Sequence, residues 1–166
     1  MKRILLMVFK NIFLVPVMWC KLCYYAGHVE KYTEQQIYKM LTFIVLRANK
    51  GGRVTIDVHG KENIPEKDGF MFFPNHQGMY DVLAIVEACS HPFSVVAKKE
   101  VENVQFLKQV FKCMKAYTMD RSDVRQAMKV INAVSKEVEN GRNYLIFPEG
   151  TRSKDGKQNV RSFQWH

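Results

Sequence analysis

Apolar residues along this chain follow two periods that alternate from Arg53 onward. "RVTIDVHG" (53–60) alternates apolar and polar, as a half-buried strand does, and "GFMFFPNH" (69–76) is a nearly continuous apolar run that fits a buried strand. "DVLAIVEAC" (81–89) predicts a helix and "PFSVVAKKE" (92–100) a third strand. "VENVQFLKQVFKCM" (101–114) carries Val104, Leu107, Val110 and Phe111 at helical spacing, and "KAYTMDR" (115–121) predicts a short strand. A helix follows from Ser122 to a stop at Gly141, and "NYLIFPEG" (143–150) predicts a fifth strand. This succession predicts an α/β domain over 51–166, with a largely parallel mixed sheet flanked by helices.

The first fifty residues follow a different pattern. "MKRILLMVFKNIFLVPVMWCKLCYY" has a basic start and a long apolar run, interrupted by Lys10, Asn11, Pro16 and Lys21. Those interruptions argue against a clean spanning helix, and no small-x-small cleavage site marks a secretory signal. An interfacial helix suits the run better, with lysines reaching headgroups and Trp19, Tyr24 and Tyr25 at the water–lipid boundary. A second helix is predicted from a Thr33 cap to Gly51, with Ile37, Met40, Leu41, Ile44, Val45 and Ala48 as its apolar stripe. The expectation is a two-helix membrane-association element over 1–50; the alternative is a helical hairpin packed on the rest of the domain.

Charge sharpens that expectation. The net charge is +9, of which residues 1–50 carry +6 and the remaining 116 residues +3. Cations concentrated in the most apolar segment suit an anionic lipid surface. They are not interleaved with stacking aromatics, so nucleic-acid binding is set aside. The four cysteines, at 20, 23, 89 and 113, include one C-x-x-C without a second pair, and read as small apolar residues in a reducing compartment.

Three polar clusters fall at predicted strand ends, where ligands bind in such sheets: "NHQGMYD", "DRS" and "EGTRS". In the first, His76 could take a proton from an alcohol near neutral pH, with Asp81 holding its imidazole. Asp81 could equally cap the helix it precedes. There is no G-x-S-x-G serine nucleophile, which favours direct attack by a substrate hydroxyl. Arg152 offers a planar fork for a phosphate, Gly150 permits close backbone approach, and Thr151 adds a hydroxyl. Arg121 and Lys98 are further candidate phosphate ligands. Each of these cations could instead be a solvated surface charge, and Glu149 a simple turn residue.

"NHQGMYD" resembles the His-x4-Asp motif of glycerolipid acyltransferases, "FPEGTRS" their Glu-Gly-Thr-Arg motif, and "YTMDR" the intervening block that ends in Arg. "VHGKENIP" matches the family's lead-in, and the resemblance is strongest to the 1-acyl-sn-glycerol-3-phosphate acyltransferase branch over roughly residues 50–155. The resemblance implies His76 as base for the 2-hydroxyl of lysophosphatidate and Asp81 as its orienting acid. It implies acceptor binding by Arg121, Glu149, Gly150, Thr151 and Arg152, with Lys98 added here. The donor would be acyl-CoA or acyl-carrier-protein as co-substrate, with no metal or other cofactor. The location would be the cytoplasmic face of a membrane. The chain departs from the family pattern at Gly78, often Ser there. In its tail "KDGKQNVRSFQWH" a Phe-Lys-x-Gly-like helix start and a Val-Pro strand are absent, so a domain lacking its C-terminal part is expected. A non-catalytic membrane-associated homologue, or an acceptor such as glycerol 3-phosphate or another lysolipid, are the alternatives.

Overall fold

Helices and strands form where the two periods place them, and their ends carry identifiable caps. The structure, a computed structural model, describes residues 2–76, 78, 80–120 and 122–148. Helix α1 (Lys2–Lys10) and helix α2 (Val15–Gly27) meet at an angle of 92°, and Pro16 sits in the first turn of α2. No single described helix is long and apolar enough to cross a membrane. Asn11, an interruption of the apolar run in the sequence, makes the corner: its buried amide donates to Met7 O at 2.8 Å and to Arg47 O at 3.1 Å.

Helix α3 (Glu34–Gly52) opens on a capping box, with Thr33 Oγ1 accepting from Gln36 N and Gln36 Oε1 accepting from Thr33 N. It runs one residue past the expected stop and ends on Arg53 in the left-handed conformation, φ 52°. Gly51 and Gly52 therefore lie in the last turn, where α1 crosses. A Cβ on Gly51 would sit 2.4 Å from Asn11 Nδ2, and one on Gly52 2.7 Å from the Met7 side chain. The absence of side chains here is what lets the two helices touch.

The described sheet is four-stranded and parallel throughout, in the order β1 (Met71–Phe72), β4 (Asn143–Ile146), β2 (Phe93–Lys98), β3 (Tyr117–Met119). Helices α4 (Asp81–Ala88) and α5 (Gln105–Met114) carry the chain from β1 to β2 to β3 on one face. Helix α6 (Val124–Glu139), capped by Asp123 Oδ1 on Gln126 N at 3.0 Å, returns from β3 to β4 on the other. Reversing direction along the sheet while keeping right-handed crossovers requires that change of face. Burial alternates accordingly. Val95 and Leu145 face α3–α5 together with Leu22 of α2, whereas Val96 and Tyr144 face Val130 and Val134 of α6. Both faces being covered is why Phe93 to Val96 are buried without interruption.

One expected strand does not form. Arg53 and Gly60 are both left-handed, no described strand lies beside the residues between them, and the alternation holds only through Val54 and Ile56, since Val58 is 39% exposed. The start of the segment is tied to α3 by Val54 N donating to Asn49 O at 2.9 Å. A period of two reports that a segment has two sides; the ladder needs a neighbour with free backbone groups.

Candidate active site

Parallel pairing puts the carboxyl ends of all four strands at one edge of the sheet. Phe72 pairs with Leu145, Leu145 with Val95, and Lys98 with Met119. The chain leaving β1 reaches His76 within four residues, and the chain leaving β4 reaches Phe147 at once. The two rings meet, with centroids 4.2 Å apart and tilted by 36°. Phe147 is the residue that sequence reasoning missed. It opens the quoted "FPEGTRS", but nothing in an aromatic at a strand end signals contact with a histidine beyond the end of the neighbouring strand, some seventy positions earlier in the chain.

His76 Nδ1 donates to Asp81 Oδ2 at 3.0 Å, and the side chains are 23% and 22% exposed. The same oxygen accepts from Gly78 N at 3.0 Å. A carboxylate only accepts, so the Nδ1 proton faces Asp81 and Nε2 is left with its lone pair. The alternative role for Asp81 was a helix cap. The N-cap position of α4 is Tyr80, and Asp81 is the first helical residue. Its carboxylate points back along the loop toward Gly78 and His76. Gly78 has room for a Cβ, whose nearest neighbours would be 3.9 and 4.0 Å away, so the small residue is not sterically required there.

Two other His–Asp pairs exist among the described residues, and their positions separate them from this one. His59 and Asp57 are 3.1 Å apart on an exposed segment outside the sheet. His91 Nδ1 donates to Asp68 Oδ1 at 2.7 Å, but at the amino edge of the sheet. There Asn143, the first residue of β4, donates to Asp68 at 2.8 Å and to Pro92 O at 2.9 Å, while its oxygen accepts from Gly69 N and Phe70 N. The Asn143 amide, and then His91, hold the Asp68 carboxyl below its ordinary range. That cluster fastens loops together. The same edge carries a cleft of about 300 Å³ beside Glu34, Glu137 and Arg142. Arg142 donates to Glu137 Oε2 at 2.6 Å and to Met114 O at 3.1 Å, while its buried Nε lies 3.2 Å from Glu34 Oε1 as an ion pair without a hydrogen bond.

Of the other expected site residues, Lys98 ends β2 at the carboxyl edge and is half exposed, its Nζ 2.8 Å from Glu100 Oε1. Arg121, Glu149, Gly150, Thr151 and Arg152 lie outside the described residues. Asp120, just before Arg121, accepts from the Ser122 hydroxyl and amide and pairs with Lys99 Nζ at 3.4 Å; the Ser122 bonds first, then Lys99, lower its pKa. The cysteines are free thiols. Burial pushes Cys113 up to about 11 and raises Cys89 as well, which suits inert core residues rather than nucleophiles. Among the described residues no three His, Cys, Asp or Glu side chains are grouped to hold a metal ion.

A parallel α/β sheet carrying a His–x4–Asp pair at its carboxyl edge is the arrangement of the acyltransferase class. The chain belongs to the acyltransferase family, whose model matches residues 55–165. It is 31% identical over 125 residues to a 1-acyl-sn-glycerol-3-phosphate acyltransferase of Borreliella burgdorferi, covering 72% of this chain and 50% of that protein. The protein of the same description from Pseudomonas aeruginosa is 32% identical over 105 residues, covering 63% of this chain and 40% of the relative. Among solved structures, the 1-acyl-sn-glycerophosphate acyltransferase PlsC from Thermotoga maritima superposes with a TM-score of 0.68 at 25% identity. The match covers 93% of this chain and 64% of that one. The chain thus spans about half the length of the curated relatives it matches.

Proposed function

We propose that this chain transfers an acyl group from a thioester donor, acyl-CoA or acyl-carrier-protein, to the 2-hydroxyl of 1-acyl-sn-glycerol 3-phosphate, giving phosphatidic acid. The observation that carries the reading is the 3.0 Å bond from His76 Nδ1 to Asp81, which leaves Nε2 free to accept a proton at the carboxyl edge of the sheet. His76 takes the hydroxyl proton as the acceptor oxygen attacks the thioester carbonyl. The tetrahedral oxyanion then collapses, the carbon–sulfur bond breaks, and the imidazolium returns its proton to the departing thiolate. Asp81 keeps the ring in the reactive tautomer and offsets the charge that develops on it.

Acceptor binding falls to Arg121, Glu149, Gly150, Thr151 and Arg152, with the arginines on the phosphate. Lys98 has a weaker claim, because Glu100 already neutralises it. No resident metal or other cofactor takes part. The reaction runs at the cytoplasmic face of a membrane, with residues 1–50 as the attachment and 51–166 as the acyltransferase unit. That placement is supported by the apolar side chains that α1 and its corner leave outward: Leu5 at 70% exposure, Phe9 at 73% and Phe13 at 91%.

The test incubates vesicles carrying the chain with lysophosphatidate and labelled acyl-CoA or acyl-carrier-protein, and separates the lipid products. Phosphatidate formed by wild type and lost in His76→Ala is the expected result. Equal turnover by both proteins would overturn the role of His76. Labelled product from glycerol 3-phosphate or another lysolipid, without phosphatidate, would replace the acceptor.

A further inference from the structure

Asn49, near the end of α3, is 2% exposed, and both ends of its side-chain amide are used by α4. The amide nitrogen donates to Glu87 Oε2 and the amide oxygen accepts from the Tyr80 hydroxyl. The partners fix the orientation of the amide, since a carboxylate can only accept. Tyr80 and Glu87 are seven residues apart, two helical turns, and so lie on one face of α4. Tyr80 is also the N-cap residue, with its carbonyl accepting from Ala84 N at 3.0 Å, and the next residue is Asp81. A single buried amide therefore ties the first and last turns of α4 to α3. That pair of ties fixes the rotation of α4 about its axis. The direction in which Asp81 leaves the first turn follows from that rotation. Burial raises the Tyr80 pKa, Glu87 adds to the rise and Arg3 opposes it, so the hydroxyl stays a donor.

We propose that Asn49, acting through Tyr80 and Glu87, is a positioning group for the His76–Asp81 pair, holding the Asp81 carboxylate where it selects the Nδ1–H tautomer of His76. A second tie between the same helices supplies the control. Tyr38, also on α3, donates its hydroxyl to Cys89 O at 3.2 Å, at the far end of α4. Losing that bond loosens the packing without freeing the first turn. The proposal rests on the reading of His76 as the base.

The experiment reads the His76 tautomer by imidazole nitrogen NMR of the neutral ring in detergent, together with kcat, KM and thermal midpoint. Tyr80→Phe and Asn49→Leu should each lower kcat about tenfold at little-changed KM, and turn the Nδ1–H ring into a mixture with Nε2–H, as Asp81→Asn does. Glu87→Gln keeps an acceptor oxygen and should retain wild-type kcat, whereas Glu87→Leu should not. Tyr38→Phe should lower the thermal midpoint and leave kcat and tautomer unchanged. The proposal is overturned if Tyr80→Phe and Asn49→Leu keep the Nδ1–H tautomer, whatever happens to stability, or if Tyr38→Phe disturbs it equally. The tautomer is read without turnover, so a failure of the acyl-transfer reading, seen as full activity in His76→Ala, is distinguishable from a failure of this one.

Discussion

At the scale of the residue, spacing alone left His76 and Asp81 open between chemistry and capping. The backbone settles the cap, because Tyr80 occupies that position and the Asp81 carboxylate turns back to His76. Asp81→Asn removes the acceptor that selects the tautomer and should lower kcat by about a hundredfold or more with the fold retained, checked by steady-state kinetics beside circular dichroism. Phe147→Ala, which strips the ring from the imidazole, should cost about tenfold in kcat. His91→Ala, at the opposite edge, should leave turnover intact while lowering the thermal midpoint. All three histidines meet an aspartate, and the fold separates them: His76 lies at the carboxyl edge of the sheet, His91 at the amino edge, and His59 on an exposed segment outside the sheet.

At the scale of the element, the helices α3, α4 and α6 were legible to within a residue or two, whereas α5 begins four residues later than expected and the N-terminal run breaks into two helices at 92°. Thr33 with Gln36 is a cap written in four consecutive positions, and Thr33→Ala should cost about 1 kcal/mol in chemical denaturation. The apolar stripe read in α3 is largely buried, with Ile37, Met40, Leu41 and Val45 at 5% exposure or less. The glycines at its end read as a stop, but they form a crossing. Gly51→Ala places a methyl against Asn11 and the Met7 carbonyl, and should loosen α1. Faster limited proteolysis within residues 1–14, with the rest of the chain equally resistant, is the expected readout. Arg53–Gly60 was misread because alternation describes one segment, while a strand is a relation between two.

At the scale of the whole molecule, the loops at the amino edge are clipped by Asn143, Asp68 and His91. Asp68 has a folded pKa below its unfolded one, so its contribution to stability is complete above the unfolded value and is lost as pH falls through the folded one. Acid unfolding below about pH 4 should therefore be less steep in Asp68→Asn than in wild type, followed by tryptophan fluorescence. The exposed apolar corner of α1 and α2 should keep the chain on vesicles through a high-salt wash, since screening weakens charge attraction and leaves apolar burial intact. The order of periods, the caps of α3 and α6, and the identity of the polar clusters were determined by the sequence itself, because each depends on neighbours a few positions away. The strand order β1-β4-β2-β3, the meeting of His76 with Phe147, the corner made by Asn11 and the double use of Asn49 were decided only by tertiary structure. Each joins residues more than twenty positions apart, and long-range pairing depends on how all the packed faces fit together, which no local pattern encodes.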